Sequence, residues 1–251
     1  MPINAVLFDV GNTLVYEHED WRTLEREGVE RLMLTLRGHG MTVDEVRLPE
    51  VLLRIREENF ARAREKGKEI TAAESISVAL QEVGLREISQ DLLNLCVEAY
   101  FHPEEERSQL LPGVEEGLRT LFHRGFQLAV VSNATSALVV RRILEMHGIL
   151  HWFRACIVSA EVGYRKPRRE IFELALNAVG ATARNAVFVG DRPDIDIQGA
   201  HNAGLRTIML KAVKQEGSAL DATHATWVAT SFPEVVDILT RTQEKEGERA
   251  R

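Results

Sequence analysis

Cysteine is scarce: there are two, Cys96 and Cys156, each set in apolar sequence. That excludes a disulfide framework and a cysteine-rich zinc site, and it fits a reducing, cytoplasmic setting. No stretch stays apolar for the roughly 18 residues a membrane helix needs, and MPINAVLFDV at the start has no basic segment, so neither export nor anchoring is expected. Positive charge is in deficit as well. The chain carries 38 acids against 31 bases, a net −7, which gives no support to a general polyanion-binding role, so nucleic acid and membrane surfaces are not expected partners. The eight histidines are scattered, with no close pair at the spacing that would put two on one helix face, so a zinc site is not expected either.

What is present is an ordinary globular composition, 45% apolar and 27% charged over 251 residues, enough for a sizeable core without disulfides or a structural metal. Short apolar runs recur at Ala5–Phe8, Leu128–Val131, Cys156–Val158, Ala186–Val189 and Thr207–Leu210. Their length and Val/Ile/Phe content predict strands buried on both faces, the mark of a parallel sheet. Helical patterns lie between the later ones. Val114, Leu118, Leu121 and Phe122 share a face and stop at Gly125; Leu138, Ile143 and Met146 stop at Gly148; Ile171, Phe172, Ala175, Leu176 and Val179 stop at Gly180. The alternation predicts a Rossmann-like, doubly wound α/β core.

Residues 17–108 differ, for they hold no convincing buried strand. Trp21, Leu24, Leu32, Met33 and Leu36 follow helical spacing, as do Val51, Leu52 and Ile55, then Ile76, Ala79, Leu80 and Val83, then Leu92, Cys96, Ala99 and Tyr100. Thr71-Ala-Ala-Glu74 reads as a capping box for the third of these. The expected division is a discontinuous core over 1–16 and 109–240, an all-helical cap over 17–108, and a flexible tail over 241–251, whose TQEKEGERAR is polar and unpatterned. Such a cap would cover the carboxyl ends of the strands, where open α/β sheets bind ligands. Trp21, Phe60 and Tyr100 are expected to pack inside it.

The polar residues of interest fall at those same strand ends. The first strand runs into Asp9-Val10-Gly11-Asn12-Thr13, the second into Ser132-Asn133, the third is followed by Arg165-Lys166-Pro167, and the fourth runs into Gly190-Asp191 with Asp194 and Asp196 just beyond. A parallel sheet would bring them onto one rim. There, two carboxylates provide hard oxygen ligands for Mg²⁺, while a lysine and a hydroxyl neutralise and orient a phosphoryl group. Taken singly, each has a bland reading: Asp9 and Asp191-Arg192-Pro193-Asp194 as turns, Ser132 as a helix cap, and Lys166 with its arginine neighbours as a solvated charge cluster. Their joint occurrence at four successive strand ends argues for a site.

In this order and spacing the residues resemble the haloacid dehalogenase superfamily of phosphatases and related hydrolases, over about residues 4–211. The resemblance implies that Asp9 is a nucleophile forming an aspartyl-phosphate. Ser132 and Lys166 would complete the catalytic set, and Gly11, Asn12, Ser132, Asn133 and Lys166 would line the phosphate site. Mg²⁺ would be held by Asp9, Asp191 and the Gly11 carbonyl, with Asp196 in support. The expected activity is hydrolysis of a small phosphorylated metabolite. One position departs from the pattern: Gly11 stands where the family's phosphatases usually carry a second aspartate that protonates the leaving group. Its loss predicts slow turnover of alkyl phosphates and a preference for good leaving groups. Glu17, His18, Glu19 and Asp20 follow directly and are candidates to replace it. Two rival readings remain: a weakened phosphate- and Mg²⁺-binding interaction protein, and a 2-haloacid dehalogenase. In the dehalogenases position 11 resembles a tyrosine and the metal carboxylates are lacking. Nothing in the sequence sets the oligomeric state.

Overall fold

A computed structural model describes residues 2–17, 19–211 and 223–249; His18 lies outside them. In chain order the elements are β1 (Ala5–Phe8), β2 (Val15–Tyr16), α1 (Trp21–Gly38), α2 (Arg47–Lys66), α3 (Ala72–Glu82), α4 (Gln90–Arg107), β3 (Gln109–Leu110), α5 (Val114–His123), β4 (Gln127–Ser132), α6 (Ala137–Met146), β5 (Ala155–Val158), α7 (Ser159–Val162), α8 (Arg169–Val179), β6 (Ala186–Gly190), α9 (Gln198–Asn202), β7 (Arg206–Leu210), β8 (Trp227–Ala229) and α10 (Phe232–Arg249).

Six of the described strands form a parallel sheet in the order β5-β4-β1-β6-β7-β8. The chain winds from β1 outward through β4 to β5, then crosses back to β6 on the other side of β1. That reversal is the topological switch point beside which such sheets bind ligands. Successive strand residues face opposite sides. Val6 and Phe8 join one buried cluster with Leu118, Val140 and Phe232 from α5, α6 and α10, while Ala5 and Leu7 join a second with Ile171, Phe172 and Ala200 from α8 and α9. Burial on both faces is why these strands read as unbroken apolar runs.

The four helices α1–α4 sit between the antiparallel pair β2 and β3, which is two residues a side. The Thr71 capping box forms as expected, with Glu74 N donating to Thr71 Oγ1 and Thr71 N to Glu74 Oε2. Trp21 and Phe60, however, are exposed, at 53% and 52%, and only Tyr100 is buried. Trp21 opens α1 and has Arg22 over its ring, and Phe60 lies on α2 beneath Arg64 and Arg165. Over the expected flexible tail, the described residues 241–249 are helical: α10 continues to Arg249, held by Arg124 to Glu244 at 2.5 Å, by an ion pair of Arg206 with Glu246, and by Ile3 N donating to Glu246 Oε2 at 3.0 Å. Among the described residues no helix is long and apolar enough to cross a membrane.

Candidate active site

β1 delivers Asp9 to the switch point, and Asp9 N donates to Val189 O at 2.9 Å, fixing the residue against β6. The chain then turns sharply: Leu14 N and Val15 N both donate to Val10 O, at 2.8 and 3.1 Å. Asn12 takes the left-handed conformation, φ 53°, one that asparagine tolerates better than most side chains. Gly11 is exposed, its φ lies outside the positive range, and a Cβ built on it meets no atom within 4 Å. Thr13, which drew no attention in the sequence, is fully buried with a hydroxyl that has no partner among the described residues.

Lys166 arrives from the loop between α7 and α8, its side chain 1% exposed, and its Nζ lies 2.5 Å from Asp9 Oδ1 and 2.8 Å from Asp196 Oδ1. The Asn133 amide braces this loop: Nδ2 donates to Lys166 O at 2.9 Å and Lys166 N donates to Oδ1 at 2.7 Å. Ser132 is buried at the end of β4. Asp191 follows β6 directly, and a single π-helical turn, Pro193–Ile197, returns Asp196 to the same spot with Oδ2 accepting from Arg192 N at 3.1 Å. Gly190 makes this return possible, because a Cβ there would stand 2.6 Å from Asp196 Oδ2. Asp194 is excluded from the cluster; it is exposed and pairs with Arg192 at 3.2 Å.

Asp9, Asp191 and Asp196 each offer an oxygen, and these lie within 4.8 Å of one another. Burial, followed by the opposing pull of Lys166 and the push of Asp196, leaves the Asp9 carboxyl raised to about 6. Burial and the charges of Asp9 and Asp196 push Asp191 up to about 8. Burial alone would pull the Lys166 ammonium down, but Asp196 and Asp9 outweigh it and the net direction is up. Three crowded carboxylates facing one ammonium form a donor set of hard oxygens short of positive charge, which fits a divalent cation.

A separate cavity of about 240 Å³ in the helical insert is lined by Glu17, Trp21, Arg56, Tyr100, Phe101 and Glu104 among others. Burial and then the Glu17 charge raise Glu104 to about 7, and burial raises Glu17. Of the candidate replacement acids, Glu19 is engaged with Arg107 at 2.6 Å, and Asp20 is exposed just ahead of α1. Among the described candidates, Glu17 is the one that lines this cavity.

A buried aspartate cluster clasped by one lysine, on the carboxyl rim of a parallel sheet with a helical insert after β2, defines a hydrolase of known architecture. A family model described as haloacid dehalogenase-like hydrolase matches residues 3–204, and the chain belongs to that family. It is 30% identical over 216 residues to a glyceraldehyde 3-phosphate phosphatase of Methanopyrus kandleri, covering 85% of this chain and 86% of the relative. It is 36% identical over 111 residues to a phosphoserine phosphatase of Thermus thermophilus, covering 44% of each. Among solved structures it is similar to a 2-haloacid dehalogenase of Pseudomonas syringae pv. Tomato, with TM-score 0.71 and 26% identity over 95% of this chain and 99% of that one.

Proposed function

We propose that this chain is a Mg²⁺-dependent phosphatase of small phosphorylated metabolites, with Asp9 as nucleophile. The observation that carries the reading is the triad Asp9, Asp191 and Asp196 sharing one buried pocket with Lys166. Asp9 and Asp191 would hold the ion beside the Gly11 carbonyl, with Asp196 in support, and when bound it would screen the Asp9 carboxylate from the phosphoryl group. An Asp9 oxygen attacks phosphorus as the bond to the leaving oxygen breaks, giving an aspartyl-phosphate. Lys166 neutralises charge on Asp9 and the phosphoryl oxygens, and Ser132, with the Asn12 and Asn133 loops, orients those oxygens. Water then hydrolyses the acyl phosphate, releasing inorganic phosphate and restoring Asp9.

With Gly11 in place of an acid, the leaving group departs without a proton from that position. Good leaving groups, such as aryl, acyl or anomeric phosphates, are therefore preferred over alkyl ones. The test is phosphate release from p-nitrophenyl phosphate and a panel of phosphorylated metabolites with Mg²⁺, beside Asp9→Asn as contaminant control. Release that Asp9→Asn abolishes supports the reading, and no release across the panel overturns it. The likeness to a 2-haloacid dehalogenase favours a second reading, carboxylate attack on carbon by the same Asp9. Halide release from 2-haloacids in chelator would support it, but the crowded carboxylates have no evident use in that chemistry.

A further inference from the structure

Glu69 lies in the link between α2 and α3, in the helical insert, yet its side chain is 2% exposed. Its oxygens accept from Arg165 Nη1 at 2.5 and 2.6 Å, and Oε2 accepts from Ser159 Oγ at 2.5 Å. Ser159 Oγ in turn accepts from Ala134 N at 3.0 Å. The main chain is stitched along the same seam. Glu69 N donates to Gly163 O at 3.0 Å, Arg165 N to Gly67 O at 3.1 Å, and Ala72 N to Thr135 O at 2.9 Å. One carboxylate from the insert therefore grips both loops that the phosphatase chemistry uses: the one leaving β4 with Ser132 and Asn133, and the one leading into Lys166.

The Asn133 amide joins these two loops from the core side and Ser159 Oγ joins them at Ala134, so what Glu69 adds is the side-chain tie that fixes Ser159 and Arg165 to the insert. Arg165, 7% exposed, is neutralised by Glu69 and held as a strut. We propose that Glu69 is a positioning residue: seated on Arg165 and Ser159, it sets Lys166 and Ser132 relative to Asp9, so the phosphoryl site is complete only when the insert is docked. This rests on the phosphatase reading.

Small displacements of such groups are costly, and Glu69→Gln is expected to lower kcat on p-nitrophenyl phosphate with Mg²⁺ on the order of 10–100-fold. It also strands a buried Arg165, so lost stability must be separated from lost positioning. The double variant Glu69→Gln/Arg165→Met removes the stranded charge. If Glu69 positions, melting recovers toward wild type while kcat stays at least about tenfold down; if the pair is only structural, kcat recovers with the fold, to within about twofold, and the proposal is overturned. Should both fail to fold, Ser159→Ala cuts the branch to Ala134 alone: a several-fold fall in kcat supports the proposal and an unchanged kcat overturns it. Should wild type release no more phosphate than Asp9→Asn, the phosphatase reading is what has failed. Positioning is then read from calorimetric binding of inorganic phosphate with Mg²⁺, where weakening of about fivefold or more in Glu69→Gln supports it and a change within about twofold overturns it.

Discussion

Gly11→Asp tests whether proton delivery is what this site lacks. The backbone at Gly11 lies outside the left-handed region and a Cβ meets no atom within 4 Å, so the variant should fold without strain. A positioned general acid contributes about 10²–10⁴-fold, equivalent to about 3–5 kcal/mol of barrier at 1.36 kcal/mol per decade. Against that stands a further carboxylate near Asp9 and Asp191, both already raised by burial and like charge. Position 11 is exposed, and water softens the added repulsion. The net expectation is a gain of about 10²-fold in kcat on ethyl phosphate and less than about tenfold on p-nitrophenyl phosphate, whose leaving group needs little help. The assay is phosphate release across a series of aryl and alkyl phosphates with Mg²⁺, and log kcat should depend less steeply on leaving-group pKa in the variant. If ethyl phosphate turnover rises less than about threefold while Mg²⁺ binding is intact, the missing acid is not the limit. Persistent inactivity with Mg²⁺ bound would favour a binding role for the protein.

With Asp9 raised from 3.8 to about 6 and Asp191 from 3.8 to about 8, the folded metal-free protein holds more protons than the unfolded chain between those values, so its stability falls as pH rises through that window. A bound divalent cation opposes this; Mg²⁺ at 100 times its Kd should raise Tm by roughly 5–10 °C at pH 8 and by less at pH 5.5, and the reverse order in scanning calorimetry would refute the charge reading. Gly190→Ala places a methyl 2.6 Å from Asp196 Oδ2 and should cut phosphate release at least about tenfold with a weaker Mg²⁺ dependence, whereas an unchanged Mg²⁺ titration would show that Asp196 can move. Glu246→Ala leaves the fully buried Ile3 without its acceptor for N–H and Arg206 without its carboxylate, and should cost about 1–3 kcal/mol in urea denaturation. A midpoint indistinguishable from wild type would make the end of α10 a passenger.

What was legible in the sequence is what local pattern encodes. Ala5–Phe8 and Ala186–Gly190 are buried on both faces, so their runs announce themselves; β2 and β3, two residues each, and β8, three, are too short to carry a period. The end of α10 was illegible for another reason. It has no apolar stripe, and its anchors Arg124 and Arg206 lie 120 and 40 residues away. In the site, Asp9, Lys166, Asp191 and Asp196 converge as their strand-end positions imply. The bracing of Lys166 by Asn133 and the grip of Glu69 depend on which loops meet, and Glu69 sits in a charged stretch that by itself reads as solvated surface.

The net charge of −7 understates the problem the active site solves. Fully ionised, Asp9, Asp191 and Asp196 against Lys166 would leave two negative charges on the buried residues of one pocket, and burial together with that excess raises the Asp9 and Asp191 carboxyls. A phosphate monoester dianion entering that pocket would add two more. The nearest arginines in sequence cannot relieve it, since Arg165 is tied to Glu69 and Arg192 to Asp194. On the phosphatase reading, a cation beside Asp9 and Asp191 would supply the missing positive charge, and phosphate binding is expected to depend on it as well as on Lys166. The same excess accounts for the Lys166 ammonium lying between two carboxylates, Asp9 and Asp196; with a cation balancing Asp9 and Asp191, it would be able to turn toward a phosphoryl group.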